Sequence, residues 1–177
     1  MSKAGIFLDR DGVLNYNTHY AHLVEDLYLT PTLEETFSLL LNFPQLEVVV
    51  VTNQSGVGRG YFNIANVLSF EAELRKRIYD ASSYYLPPHK WYHCYSEDDA
   101  HLWRKPNIGM ITEATNKNKI DLSRSAMFVD SWQDMKTAEN AGIAFYPIDP
   151  YKGPFLLSQV ESFLNGFNKD AELPTIH

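Results

Sequence analysis

An α/β fold with a mainly parallel sheet is what this sequence predicts, and three observations carry the prediction. Short apolar runs rich in β-branched and aromatic residues recur along the chain. Segments with helical spacing of apolar residues separate them. Several of the runs stop abruptly at an Asp or at Thr-Asn, and alternation of this kind reads as strand, helix and crossover.

The elements follow in chain order. Ala4–Leu8 is a short buried strand stopping at Asp9. Thr32 with Glu35 forms a capping box, opening a helix on which Leu33, Phe37, Leu40 and Leu41 share a face. Pro44 closes it, and Leu46–Val51 is the second strand, ending at Thr52-Asn53. Asn63 caps a helix carrying Ile64, Val67, Leu68, Leu74 and Ile78, stopped by Pro87-Pro88. Lys90–Tyr95 is a weaker strand, and Pro106 fits a helix start for Asn107–Asn116. Ala126–Val129 is a strand ending at Asp130, followed by a helix over Asp134–Ala141 with Gly142 as C-cap. Ile143–Ile148 and a helix over Pro154–Leu164 complete the series.

Composition narrows the function classes. The chain has 177 residues and a formal charge of −7. An acidic chain without a basic run suits neither nucleic acid nor an anionic membrane surface. No apolar stretch approaches the ~20 residues of a membrane span. The run before Asp9 is too short for a signal peptide, so a cytoplasmic protein is expected. A single cysteine, Cys94, excludes an internal disulfide. Oligomeric state is not indicated.

Four places carry candidate chemistry, each at a strand end, where parallel sheets bind ligands. Asp9 and Asp11 stand two apart, followed by Gly12. Paired carboxylates repel unless a cation or proton separates them, which suits a metal beside a nucleophile and an acid/base. A solvated acidic turn has the same composition. Thr52-Asn53-Gln54-Ser55-Gly56 offers short donors and backbone N–H groups for a phosphate, and also reads as an ordinary loop. Its glycines do not match a dinucleotide fingerprint. Arg104-Lys105 could neutralise a phosphate or lie solvated. Asp130 and Asp134 stand four apart across a strand-to-helix turn, where Asp134 also fits as a helix-start charge.

Taken in order, Asp9/Asp11, Thr52, Lys105 and Asp130/Asp134 resemble the haloacid dehalogenase-like phosphatase superfamily over nearly the whole chain. Asp-Arg-Asp-Gly-x-x-Asn, Thr-Asn-Gln-Ser-Gly-x-x-Arg-Gly and Arg-Lys-Pro-x-x-Gly-Met are similar to the branch of D,D-heptose 1,7-bisphosphate 7-phosphatases and histidinol-phosphatases. Tyr20 and His22 fall in that branch's Tyr-Val-His segment. The resemblance implies one three-layer α/β/α, Rossmann-like phosphatase domain over residues 1–177, with little or no cap.

It also implies roles. Asp9 would be the nucleophile and Asp11 the acid/base. Magnesium would sit between Asp9, the Asp11 backbone carbonyl and Asp130, with Asp134 behind them holding a metal water or orienting Lys105. Thr52, Asn53 and Lys105 would bind the phosphoryl group. Asn17, Thr18, His19, Tyr20, Gln54, Ser55 and Arg104 would face the substrate, a small phosphorylated metabolite. Heptose bisphosphate is expected first and histidinol phosphate second. A DNA 3′-phosphatase fits the charge poorly, and a non-catalytic binding module fits the retained acids poorly.

One departure stands out. The branch's structural zinc uses a Cys-x-His and a later Cys-x-Cys, and only Cys94 remains here, with Ser96 at the His position. Zinc is therefore not expected. A loop packed by Trp91, Leu102 and Trp103 is expected in its place, with a substitute site of His89, His93, Cys94 and His101 left open. Roles for Arg10 and Arg59 are also open.

Overall fold

The computed structural model describes residues 2–171. Five strands form one parallel sheet: β1 (Lys3–Leu8), β2 (Leu46–Asn53), β3 (Trp91–Cys94), β4 (Ile120–Val129) and β5 (Ala144–Pro147), ordered β3-β2-β1-β4-β5. Five helices connect and cover them: α1 (Leu33–Leu40), α2 (Ile64–Ser82), α3 (Gly109–Asn118), α4 (Trp132–Ala141) and α5 (Leu156–Ala171).

The period-two alternation of strand side chains divides the core in two. Ile6, Leu8, Val48, Val50, Ala126 and Phe128 face one way, packing with Phe37, Phe70, Leu74, Val160 and Phe163 from α1, α2 and α5. Phe7, Val49, Val51, Met127 and Val129 face the other way, packing with Met110, Ile111, Ala114 and Ala138 from α3 and α4. Both faces of the sheet are therefore covered, which is why its strands read as continuous apolar runs. The result is the expected three-layer α/β/α arrangement. Among the described residues no helix is long and apolar enough to cross a membrane.

Several local expectations need correction. Thr32 does not cap α1 with its side chain; it sits at φ 64°, and its hydroxyl accepts from Leu157 N at 3.2 Å, tying α5 to α1. α1 itself stops at Leu40, before Pro44. Strand β4 begins at Ile120, six residues earlier than its apolar run, because Asp121–Arg124 interrupt the hydrophobic pattern but not the chain direction. Helix α3 starts at Gly109, and α5 runs past Leu164 to Ala171. The Asn63 cap is present, in a reciprocal pair with Asn66. Gly142 closes α4 at φ 68°.

The order β3-β2-β1-β4-β5 reverses direction of travel at β1. Crossovers from β1 and β4 leave toward opposite faces, opening a cleft beyond the carboxyl ends of these neighbours. Leu8 pairs with Phe128 in register, so Asp9 stands level with Val129 and Asp130 follows one residue on, both opening into that cleft.

Candidate active site

The cleft is a cavity of about 300 Å³ whose wall includes Asp9, Asp11, Lys105, Asp130 and Asp134. Close approach at its floor depends on Gly12, which has φ +88°. A Cβ there would fall 1.6 Å from Asp130 Oδ2, so only glycine lets the loop after β1 lie against the end of β4.

Carboxylate oxygens of Asp9, Asp130 and Asp134 lie within 4.8 Å of one another. Lys105, 3% exposed, spends its ammonium among them. It donates to Asp134 Oδ1 at 2.5 Å and to Val51 O at 3.1 Å, and it lies 2.9 Å from Asp9 Oδ1. The Lys105 ammonium is thus the partner of Asp9 Oδ1, whereas Oδ1 of Asp130 is buried with no hydrogen-bond partner among the described residues. Burial opposes the charge on Lys105, but Asp134 and then Asp9 outweigh it and hold its pKa above the ordinary value. Burial first, then the charge of Asp134, pushes Asp9 up to about 7. Burial and then Asp9 push Asp130 up to about 8. The cluster thus carries more negative charge than its surroundings tolerate.

Those observations test whether a divalent cation fits. Three ionised carboxylates and one ammonium leave two negative charges. Asp130 Oδ1 is buried without a hydrogen-bond partner among the described residues, and the donor set is all oxygen, as a hard cation requires. The residues present fit such an ion.

Asp11 stands apart from this cluster. Its carboxylate is held by the Arg10 fork, with Nη2 at 2.9 Å, by Asn15 Nδ2 at 2.9 Å and by Gln54 Nε2 at 3.0 Å. Its side chain is accordingly not among the grouped acids, which leaves the Asp11 backbone carbonyl as its expected contribution to a cation, while Asp134, grouped with Asp9 and Asp130, has its oxygens engaged by Lys105 and Ser131. Arg10 is 1% exposed, lies 4.5 Å over the Phe70 ring and donates to Ala21 O at 2.6 Å. Its open role thus resolves to an anchor that joins Asp11 to the loop ahead of α1.

Asn53 clamps the segment that presents Lys105. Its Oδ1 accepts from Lys105 N at 3.0 Å, and its Nδ2 donates to Lys105 O at 3.2 Å. Thr52 is 1% exposed and does not line the cavity; its hydroxyl accepts from Gln54 Nε2 at 2.9 Å. Asp134 is fixed by Ser131, the α4 N-cap, whose hydroxyl donates to Oδ2 at 2.9 Å.

Of the expected substrate-facing residues, Asn17, His19, Tyr20, Gln54 and Ser55 line the cavity. Thr18 and Arg104 do not. Arg104 turns instead to Asp99 at 2.8 Å and to the Ser96 carbonyl at 3.3 Å, because the acidic run Glu97-Asp98-Asp99 lies within its reach. Arg59 pairs with Glu97 at 3.2 Å. His19 and Tyr20 have φ of 54° and 61°, and Tyr20 packs edge-on to Tyr61 at 5.0 Å. Sequence reasoning missed Ser131 and Gln133 on the wall. Ser131 had a usable signal, a hydroxyl one residue past the strand-ending Asp130; Gln133 had none.

In the altered loop, Cys94 Sγ lies 3.7 Å from His101 Nδ1, while His93 Nε2 faces the buried Glu71 at 2.8 Å. Burial pushes the Cys94 thiol up, away from the thiolate that a metal takes. Trp91 is buried and Trp103 packs against the core beside Tyr92 at 6.3 Å, as expected, but Leu102 is 77% exposed and takes little part in that filling. Polar bonds also order the loop, with Asn107 Nδ2 donating to the carbonyls of Asp99 and His101 at 3.0 Å.

A family model described as HAD-hydrolase-like matches residues 102–147, the stretch that holds Lys105, Asp130 and Asp134. The D-glycero-D-manno-heptose-1,7-bisphosphate 7-phosphatase of Thermosynechococcus vestitus is 33% identical over 151 residues, spanning 80% of this chain and 76% of the relative. The D-glycero-beta-D-manno-heptose-1,7-bisphosphate 7-phosphatase of Vibrio cholerae is 33% identical over 148 residues, spanning 81% and 79%. The crystal structure of D,D-heptose 1,7-bisphosphate phosphatase from B. bronchiseptica, complexed with magnesium and phosphate, matches with a TM-score of 0.77 at 24% identity, over 92% of this chain and 99% of that one. At that identity the last likeness is one of fold. The order of acids along the strands, the sheet and these relatives converge: the chain belongs to the HAD-like family of phosphatases.

Proposed function

We propose that this protein is a magnesium-dependent phosphatase whose substrate is D-glycero-D-manno-heptose 1,7-bisphosphate, cleaved at the 7-phosphate. The observation that carries the reading is the buried cluster of Asp9, Asp130 and Asp134 around Lys105, at the mouth of a polar cavity. The names of the relatives support the choice of sugar.

Asp9 attacks phosphorus and forms an aspartyl-phosphate, splitting one difficult displacement into two. Lys105 keeps Asp9 oriented and offsets charge on the incoming phosphoryl group. Asp11 gives a proton to the leaving sugar oxygen as its bond to phosphorus breaks, and then takes one from the water that attacks phosphorus and releases phosphate from Asp9. The Asn53 backbone N–H would receive a phosphoryl oxygen, and the adjacent Thr52 hydroxyl, which does not line the cavity in this structure, would join it when the phosphate is bound. Asp9, Asp130 and the Asp11 backbone carbonyl would hold the ion, with Asp134 committed to Lys105 and Ser131 behind them. When bound, magnesium lets an anionic nucleophile meet an anionic phosphate and stabilises charge in the transition state. Asn17, His19, Tyr20 and Ser55 would contact the sugar. Residues 1–177 would act as one phosphatase domain.

The test is phosphate release over a panel of phosphorylated metabolites, with magnesium and with chelator. The panel includes the heptose bisphosphate, histidinol phosphate, other sugar phosphates and a 3′-phosphorylated oligonucleotide. A preference of about a hundredfold in kcat/KM for the heptose bisphosphate, lost in chelator, is expected. An equal preference for another member would replace the substrate, and magnesium-independent release would overturn the reading.

A further inference from the structure

We propose that Gln54 is a positioning residue for the proton-transfer step, holding the Asp11 carboxyl at a set distance from the Thr52 phosphate seat. The proposal rests on the readings of Asp11 as the acid and of Thr52 as a phosphate ligand.

The Gln54 side chain has two N–H hydrogens on one nitrogen, and both are spent. One goes to Asp11 Oδ2 at 3.0 Å and the other to Thr52 Oγ1 at 2.9 Å. The residue is 4% exposed, and its backbone N–H donates to Cys94 O at 2.7 Å, so the base of the side chain is pinned to the end of β3. The other partners of the Asp11 carboxylate, Arg10 and Asn15, belong to the same loop as Asp11 and move with it. Gln54 is the partner that reaches Asp11 from another strand, 43 residues away. It therefore fixes the acid relative to β2 and not merely within its own turn. Because the Thr52 hydroxyl accepts from Gln54, its own proton stays available to a phosphoryl oxygen. One amide thus sets the separation between the group that seats the phosphate and the group that protonates the leaving oxygen. An error of about 1 Å in such a separation can cost ~100-fold.

A leaving-group comparison separates this role from a structural one. An alkoxide needs a proton as it departs, and p-nitrophenolate does not. The ratio kcat/KM covers steps through the first irreversible phosphoryl transfer, so the later attack of water does not enter it.

Gln54→Met keeps the length and removes both N–H groups; Gln54→Leu also removes them without adding charge beside Asp11 and serves if the first variant fails to fold. Either variant is expected to lose about tenfold or more in kcat/KM both on heptose 1,7-bisphosphate and on a simple alkyl phosphate that carries no sugar hydroxyl, and several-fold less on p-nitrophenyl phosphate; a loss confined to the sugar phosphate is what a lost sugar contact gives and overturns the proposal. Equal losses on all three substrates, or none on the sugar phosphate, overturn the proposal as well. Asp11→Asn, measured on the same three substrates, tests the underlying reading separately. If that variant shows no leaving-group split, Asp11 is not the acid, and it is the reading of the site that fails.

Discussion

At the scale of single residues, backbone geometry and charge act together in this site. Gly12 permits Asp130 to approach the loop after β1, and any Cβ there collides with Asp130. Gly12→Ala is therefore expected to cost about 1–3 kcal/mol from the positive φ alone. It should also displace Asp130, so the magnesium-induced rise in Tm should shrink along with activity; unchanged urea midpoints and an unchanged magnesium response would refute this. Much of the site was readable at this scale. Asp9, Asp130 and Asp134 are acids at or just beyond the ends of apolar strands, and a buried charge in such a place needs a purpose. Lys105 was readable only through its order between Thr52 and Asp130, since Arg104-Lys105 alone reads equally as solvated. The pairings were not: Arg104 and Arg59 turn to Asp99 and Glu97 because an exposed acidic run folds beside them. No residue spacing encodes that choice, which is why an expected substrate contact became a loop tie.

At the scale of elements, strands were more legible than helix ends. Continuous apolar runs announce strands buried on both faces, as in β1 and β2; all five strands were found, though β4 starts six residues before its run and the edge strand β5 is largely exposed. Caps are local contests between side chain and backbone, and sequence settles them less well. Thr32 and Asn63 make the contrast. Both carry a capping signature, yet Thr32 adopts a left-handed backbone and serves α5, whereas Asn63 caps α2 by accepting from Asn66 N at 3.0 Å. Asn63→Ala should cost about 1 kcal/mol. Thermal unfolding would then fall by roughly 2–4 °C with kinetic constants unchanged. A wild-type Tm would show that the bond contributes nothing to stability.

At the scale of the whole molecule, the acid cluster couples metal binding and pH to stability. In metal-free protein, burial and mutual repulsion raise Asp9 to about 7 and Asp130 to about 8 from 3.8. The folded state then binds more protons than the unfolded state between roughly pH 4 and 8, so its stability falls as pH rises through that window. Chelated protein should thus unfold at lower temperature at pH 8.5 than at pH 6.5. Magnesium should raise Tm most at the higher pH, where it competes with fewer protons. A magnesium effect equal at both pH values would contradict this coupling. The most direct measurement of the central claim is to mix enzyme, magnesium and heptose 1,7-bisphosphate, quench in acid within one turnover, and map the phosphorylated peptide. The account predicts phosphate on Asp9, absent when Asp9→Asn replaces the wild type and absent in chelator. Turnover that proceeds in Asp9→Asn, or a phosphoryl group carried by another residue, would contradict it.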